Sequence, residues 1–188
     1  DVHDNQHTND VSNERSANEG NIRYLGKTIN HQYSKSFDFE KKFRNYVQRF
    51  LTPAPEYFSF LRPLSELQIA ALFKAMPQYH QVFTSCNELR GNGWCGMCAK
   101  CAFVFVVLSP FLPTDQMEKI FGSDFFEKPK LRQHILDLSG VGEHKPFECV
   151  GTAGETRDGI ALAINKYSRE AGSNFAGQKE KKALPPVL

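Results

Sequence analysis

Four cysteines crowded into residues 86–101 (CNELRGNGWCGMCAKC) constrain this chain more than any other feature. Cys86, Cys95, Cys98 and Cys101 follow one another at separations of nine, three and three residues. Thiolates are soft, strongly donating ligands, and a zinc ion accepts four of them tetrahedrally. The glycine between Cys95 and Cys98 lets a tight turn bring both sulfurs to one ion. Cys101 falls about one helical turn after Cys98 and can project to the same side. Cys86 would close the site across a loop containing Gly91 and Gly93. The spacing therefore predicts a structural zinc site on these four residues, set against two disulfides or four unlinked thiols. With every position filled by protein, such an ion staples a fold and leaves no open coordination site for chemistry.

Composition bounds the rest. The 188 residues suffice for one domain with a real core, and 40% hydrophobic content with sixteen phenylalanines argues for a packed globule. A net charge of +2 gives no electrostatic case for nucleic acid. The dense basic stretch at Lys179, Lys181 and Lys182 reads as a solvated tail. An odd number of cysteines at metal-like spacing points to a reducing compartment. The most apolar stretch, 102–112, is too short to span a bilayer and is broken by Pro110. No signal peptide opens the sequence. The expectation is a cytoplasmic protein with neither a membrane nor a nucleic-acid partner.

Along the chain, residues 1–22 are polar and read by themselves as a disordered arm, with His3 and His7 as flexible-arm histidines. A helix is predicted from Ser36 to Leu51, with Phe39, Phe43, Tyr46, Val47 and Phe50 forming a core-facing stripe. A short strand follows over 57–61. Ser65 and Gln68 carry a capping-box signature for a second helix, whose Ile69, Leu72, Phe73 and Met76 would face inward. Residues 81–84 are expected to form a strand delivering Cys86. The stretch 102–112 reads as a buried helix anchored by the metal site, followed by helices over 115–121 and 129–138. A loop over 142–152 leads to a last helix over 155–170. The domain reading is a polar arm over 1–10, one unit over 11–170 and a flexible tail over 171–188.

Several runs together resemble known families. RPLS at 62–65, TSC at 84–86 and the cysteine spacing are similar to the C-terminal part of PP-loop ATP pyrophosphatases. Among those enzymes, 7-cyano-7-deazaguanine synthase ends a comparable run in a four-cysteine zinc site. The runs NERSANEGN (13–21), NHQYSKS (30–36), WCGMCAKCAFVF (94–105) and KPFECVG (145–151) resemble instead the bacterial UDP-N-acetylmuramoyl-L-alanyl-L-glutamate epimerases. The resemblance covers about residues 11–170. It implies a helix-rich α/β fold like the C-terminal part of a PP-loop domain. It also implies use of ATP and Mg²⁺ to invert the terminal L-glutamate of UDP-MurNAc-L-Ala-L-Glu, for peptidoglycan synthesis. The glycine-rich phosphate loop of PP-loop enzymes does not occur in these residues, so an upstream segment of the same protein is the expected source of it. Two other readings stay open: a different carboxylate-adenylating enzyme, and a non-catalytic zinc-stapled module docking on a separate ATPase subunit.

Inverting an α-carbon next to an ionised carboxylate is hard, and adenylating that carboxylate lets it delocalise the carbanion. The protein must add a base, an acid and cations. Cys149 is the cysteine outside the metal set and is one candidate base, or else a small buried core residue. Glu148 is the other candidate, or else a surface carboxylate. Glu14 and Arg15 either bind Mg²⁺-ATP or substrate carboxylates, or form a loop ion pair. Lys35 at a helix N-terminus could hold a phosphate, with His31 beside it as a ligand contact or a structural histidine. Arg90 could reach an anion or remain solvated. Lys100 would offset the charge of a four-thiolate site.

Overall fold

Ala99–Leu108 carries apolar residues on every side, and a helix of that kind has no face to give to solvent. In the structure, a computed structural model describing residues 8–20, 22–51, 55–88, 93–142, 146, 148 and 150–180, this helix sits at the centre. The described elements run β1 (Thr8–Val11), β2 (Ile22–Tyr24), β3 (Lys27–Ile29), α1 (Phe37–Phe50), β4 (Glu56–Ser59) and α2 (Glu66–Phe73). Then come α3 (Ala99–Leu108), α4 (Thr114–Phe121), α5 (Pro129–Leu138) and α6 (Ala153–Glu180). The helix-rich α/β class expected from the sequence holds.

Helices α2, α4, α5 and α6 all pack on α3. Phe105 of α3 stacks on Phe125 at 5.0 Å and meets Phe121 and Phe126 edge-on, so one fully buried ring organises three others. Burying such a side chain stabilises the fold by about 2–3 kcal/mol. Helix α6 crosses α3 at Gly159, where an added Cβ would lie 3.0 Å from Val106. Farther along α6, the Lys166 ammonium donates to the carbonyl oxygens of Ser109 and Leu112, satisfying acceptors that the end of α3 leaves open.

The strands form two separate two-stranded sheets among the described residues. β1 pairs with β4 in parallel, Thr8 opposite Glu56 and Val11 opposite Ser59, with α1 as the crossover. β2 and β3 form an antiparallel hairpin through Leu25 and Gly26, both at positive φ.

Several expectations change. The polar residues 8–18 supply β1 and a 3-10 turn at Arg15–Asn18, held by backbone and side-chain hydrogen bonds and by the burial of Ala17. The hairpin has no counterpart in the sequence reading. The α1 stripe shares one face, yet Phe50 is 67% exposed and Tyr46 and Phe43 are also exposed, while Val47 and Glu40 are buried. Leu72 and Met76 are exposed too, leaving Ala70 as the buried residue of α2. Residues 81–84 form turn and irregular backbone, not a strand, because the chain must bend to bring Cys86 beside α3. Finally, α6 continues ten residues past the predicted end, through Glu180.

Candidate metal centre and charged cavity

The loop before α3 and the first turn of α3 bring Cys86, Cys95, Cys98 and Cys101 together. Their four sulfurs all lie within 4.8 Å of one another, and none is in a disulfide. A tetrahedral ion with ~2.3 Å bonds to sulfur needs sulfurs about 3.8 Å apart; the Cys95 and Cys101 sulfurs stand at 3.7 Å. Backbone N–H groups already point at the sulfurs. Those of Glu88 and Cys95 donate to Cys86, and that of Cys101 donates to Cys98, which is also the N-cap of α3. Gly96 has φ of +62°, and a Cβ there would meet the Lys128 ammonium at 2.7 Å. The turn that presents Cys95 and Cys98 therefore needs glycine. Burial pushes the Cys98 and Cys101 thiols up, and the neighbouring sulfurs add to the rise. The cluster could hold a metal ion. Its neighbour Trp94 packs 4.7 Å from Phe121 and 5.3 Å from Phe83, tying it to the core.

A second polar assembly joins the N-terminal segment to α1 and β4. Glu40 is 3% exposed; it accepts hydrogen bonds from Ser59 and Arg62 at 2.5 and 3.0 Å, and pairs with Arg44. Burial alone would raise its carboxyl, but the Ser59 and Arg62 hydrogen bonds outweigh that and hold it below the usual range. Arg62 also donates to the backbone carbonyls of Glu14 and Lys35. The arginine of the RPLS run thus fixes two candidate binding residues through their backbones, and the Glu14 carboxylate also accepts from the Ser16 hydroxyl at 3.2 Å.

Both candidate residues act electrostatically on Glu66, Glu14 repelling its carboxylate and Lys35 attracting it. This first residue of α2 lines a cavity of about 220 Å³ walled by Ile69, Phe73, Phe83, Phe103, Val104 and Val107, with Ser85 and Lys100 also at its edge. Burial, then repulsion by the Glu14 and Glu155 carboxylates, pushes the Glu66 carboxyl up to about 7, against the attraction of Lys35 and Lys100. Among the described residues its carboxyl takes no hydrogen bond. Glu155 is placed by two jobs at once. One carboxylate oxygen accepts from the Glu66 N–H at the start of α2, and the other from the Thr152 N–H, with the Thr152 hydroxyl capping the Glu155 N–H. Gly151 is required here, since a Cβ would strike both Phe103 and Glu155.

Glu148 is half-buried and accepts from the Asn87 amide at 2.7 Å; Asn87 in turn accepts from Lys100 at 3.4 Å. This line runs from Glu148 to the cavity edge. Arg15 is exposed and is held by its backbone N–H to Leu64. His31 is half-buried in the turn before α1. Cys149, Arg90, His3 and His7 lie outside the described residues. A second, polar cleft of about 530 Å³ lies between Ser16, Thr28 and Gln32 and the Gly151–Gly154 start of α6; Val150 lines both hollows. Sequence reasoning missed Glu66 and Glu155. The first was hidden inside a capping box, and the second marked only a helix start, although Thr152 and Glu155 carry a capping-box spacing of their own.

The family model described as MurL C-terminal domain matches residues 82–183, and the one described as MurL N-terminal domain matches residues 7–60. A Salinispora tropica protein named UDP-N-acetyl-alpha-D-muramoyl-L-alanyl-L-glutamate epimerase is 42% identical over 157 residues, 81% of this chain and 34% of that protein. Proteins of the same name from Xanthomonas oryzae pv. oryzae and a Micromonospora species are 40% and 41% identical. They cover 82% and 81% of this chain, and 36% and 35% of their own lengths. The chain thus spans about a third of the curated relatives it matches. No solved structure matches it.

Proposed function

The chain belongs to the MurL epimerase family, and from that premise we propose that it serves the epimerisation of the terminal glutamate of UDP-MurNAc-L-Ala-L-Glu from L to D. The observation that carries the reading is the Glu66 carboxyl and the Lys100 ammonium on the lining of one apolar cavity, with Glu14, Lys35 and Glu155 acting on Glu66 electrostatically. Proton transfer at carbon needs that combination: a carboxylate in a poorly solvated place, and cations to receive the developing negative charge.

In this reading the α-carboxylate of the substrate attacks the α-phosphorus of ATP, with Mg²⁺ on the phosphates. Pyrophosphate leaves, and an acyl adenylate forms. Its α-proton is then acidic enough to be removed, the electron pair passing into the activated carboxyl. A proton returns to the opposite face, and water releases AMP. Glu14, Arg15, Lys35 and His31 are assigned to the nucleotide and the substrate carboxylates; the anchoring of Glu14 and Lys35 by Arg62 supports this. Glu148 and Cys149 are assigned to proton transfer from one face, supported by the Glu148–Asn87–Lys100 line. Zinc on the four cysteines would hold the loop carrying Asn87 against α3. We read β1–α1–β4 as part of a PP-loop-type sheet whose phosphate loop lies on an upstream segment of the same protein. We assign the reaction to the cytoplasm, where nucleotide-linked precursors are made; no helix among the described residues is long and apolar enough to cross a membrane.

The test is deuterium incorporation at the glutamate α-carbon in D₂O with UDP-MurNAc-L-Ala-L-Glu, ATP and Mg²⁺, with AMP release followed in parallel. It is run on this chain and on the full-length protein that carries it. Deuterated D-glutamyl product with AMP from either supports the reading. Neither product from the full-length protein overturns it.

A further inference from the structure

Glu66 stands apart from every other carboxylate described. It is half-buried and lines a cavity that it shares with Ile69, Phe73 and Phe103. The backbone next to it is fixed, since its N–H is held by Glu155 at 2.9 Å and the Ser65 capping box locks the first turn of α2. Its own carboxyl has no hydrogen-bond partner among the described residues. A fold that spends two caps on positioning a residue, then leaves its acid group facing an apolar hollow, has placed that group for something outside the chain.

We propose that Glu66 is the catalytic residue that exchanges the α-proton of the substrate from within the cavity, opposite the Glu148 segment. The proposal rests on the epimerase reading above and adds to it a residue that the sequence did not single out. The cavity, at about 220 Å³, is smaller than the ~300–1,000 Å³ typical of pockets that hold a whole small ligand. It therefore takes one acyl-activated amino-acid residue, while the nucleotide sugar lies outside. In the step, a Glu66 carboxylate oxygen takes the α-hydrogen as a proton. The C–H bond breaks, an O–H bond forms, and the electron pair moves into the carbonyl of the acyl adenylate made from ATP. Lys100 supplies positive charge on the cavity lining, and Lys35 attracts the Glu66 carboxylate while Glu14 and Glu155 repel it. In the protonated form Glu66 can run the same transfer backwards, which an epimerase needs in both directions. A carboxyl titrating near neutrality suits both roles.

The experiment compares E66Q and E66D with the unsubstituted full-length protein, scoring two reactions separately. ATP–pyrophosphate exchange driven by the substrate reports adenylation; solvent deuterium entry at the α-carbon reports proton transfer. E66Q is expected to keep adenylation within about threefold and to lose deuterium entry by about 10²–10⁴-fold. E66D retracts the same acid by one methylene, and is expected to retain measurable exchange with a displaced pH profile. Deuterium entry at the native rate in E66Q overturns the assignment. So does an equal fall in both reactions, which a merely structural residue would give. Should E66Q fail to fold, native exchange and an unmoved pH profile in E66D overturn it alone. If the unsubstituted protein neither adenylates nor exchanges, it is the functional reading that fails.

Discussion

Glu40 and Glu66 are both carboxylates drawn into the protein at the start of a helix, and their surroundings drive them in opposite directions. Glu40 is paid back for its burial by Ser59, Arg44 and Arg62, so its ionised form is favoured. Its contribution to stability is complete above the unfolded value of about 4.3 and is lost as pH falls through its lower folded value. Glu66 has no such compensation and titrates near 7. The folded chain then binds a proton that the unfolded chain has released, so stability declines as pH rises from about 4.5 to 7 and stays lower above that. E66Q removes this penalty. It is expected to stabilise the protein at pH 8 by an amount on the order of 2 kcal/mol after allowance for solvent screening, and by little at pH 4. Thermal melts of both proteins at the two pH values check this; equal differences at both would remove the argument that Glu66 is held at a cost to the fold. Neither residue's role was legible in the sequence. A glutamate at a helix start looks favourable for the helix dipole whether its carboxyl is solvated, paired or buried, and only the tertiary partners distinguish the three.

At the scale of elements, local chemistry was well reported and coverage was not. The Ser36 cap of α1, the Ser65–Gln68 box of α2, and the bounds of α4 and α5 follow from residues a few positions apart. The α1 aromatic stripe was misjudged because periodicity says which side chains share a face, not whether anything packs on that face. The β1 strand was invisible because its order comes from a partner far along the chain, β4. Glu155 shows how a cap can also work over a distance. One side chain closes the first turn of α6 and holds the first N–H of α2. E155A would leave both groups unpaired and is expected to cost about 1–2 kcal/mol, a fall in melting temperature of roughly 4 °C at this chain length. E155Q keeps one acceptor oxygen, enough for one of the two N–H groups, and should lose about half as much. Similar losses for the two variants in a thermal melt would show that charge, rather than capping, is what Glu155 provides.

For the whole molecule, the cysteine cluster and the aromatic core form one structure. Trp94 lies between Cys95 and the Phe83–Phe121 contacts, and Cys98 starts the helix on which four others pack. The convergence of the four cysteines was legible in the sequence because their spacing lets the four sulfurs approach one point. The cavity was not, because it draws Glu66, Ser85, Lys100 and Val150 from four separated stretches, and no local pattern links them. Binding a zinc ion here should couple to folding, and C98S tests that coupling cleanly. Serine is a better N-cap than most residues, so the substitution preserves the start of α3 while removing one thiolate. Any large loss of stability then reports the metal and not the cap. The expected result is one bound zinc per unsubstituted chain and none in C98S. The emission of Trp94, the chain's one tryptophan, should also shift to the red, and the unsubstituted protein should show the same shift when treated with a strong chelator. A C98S protein with an unchanged melting temperature and unchanged emission would mean that the aromatic core holds the loop by itself, and that the four sulfurs converge for a reason other than stability.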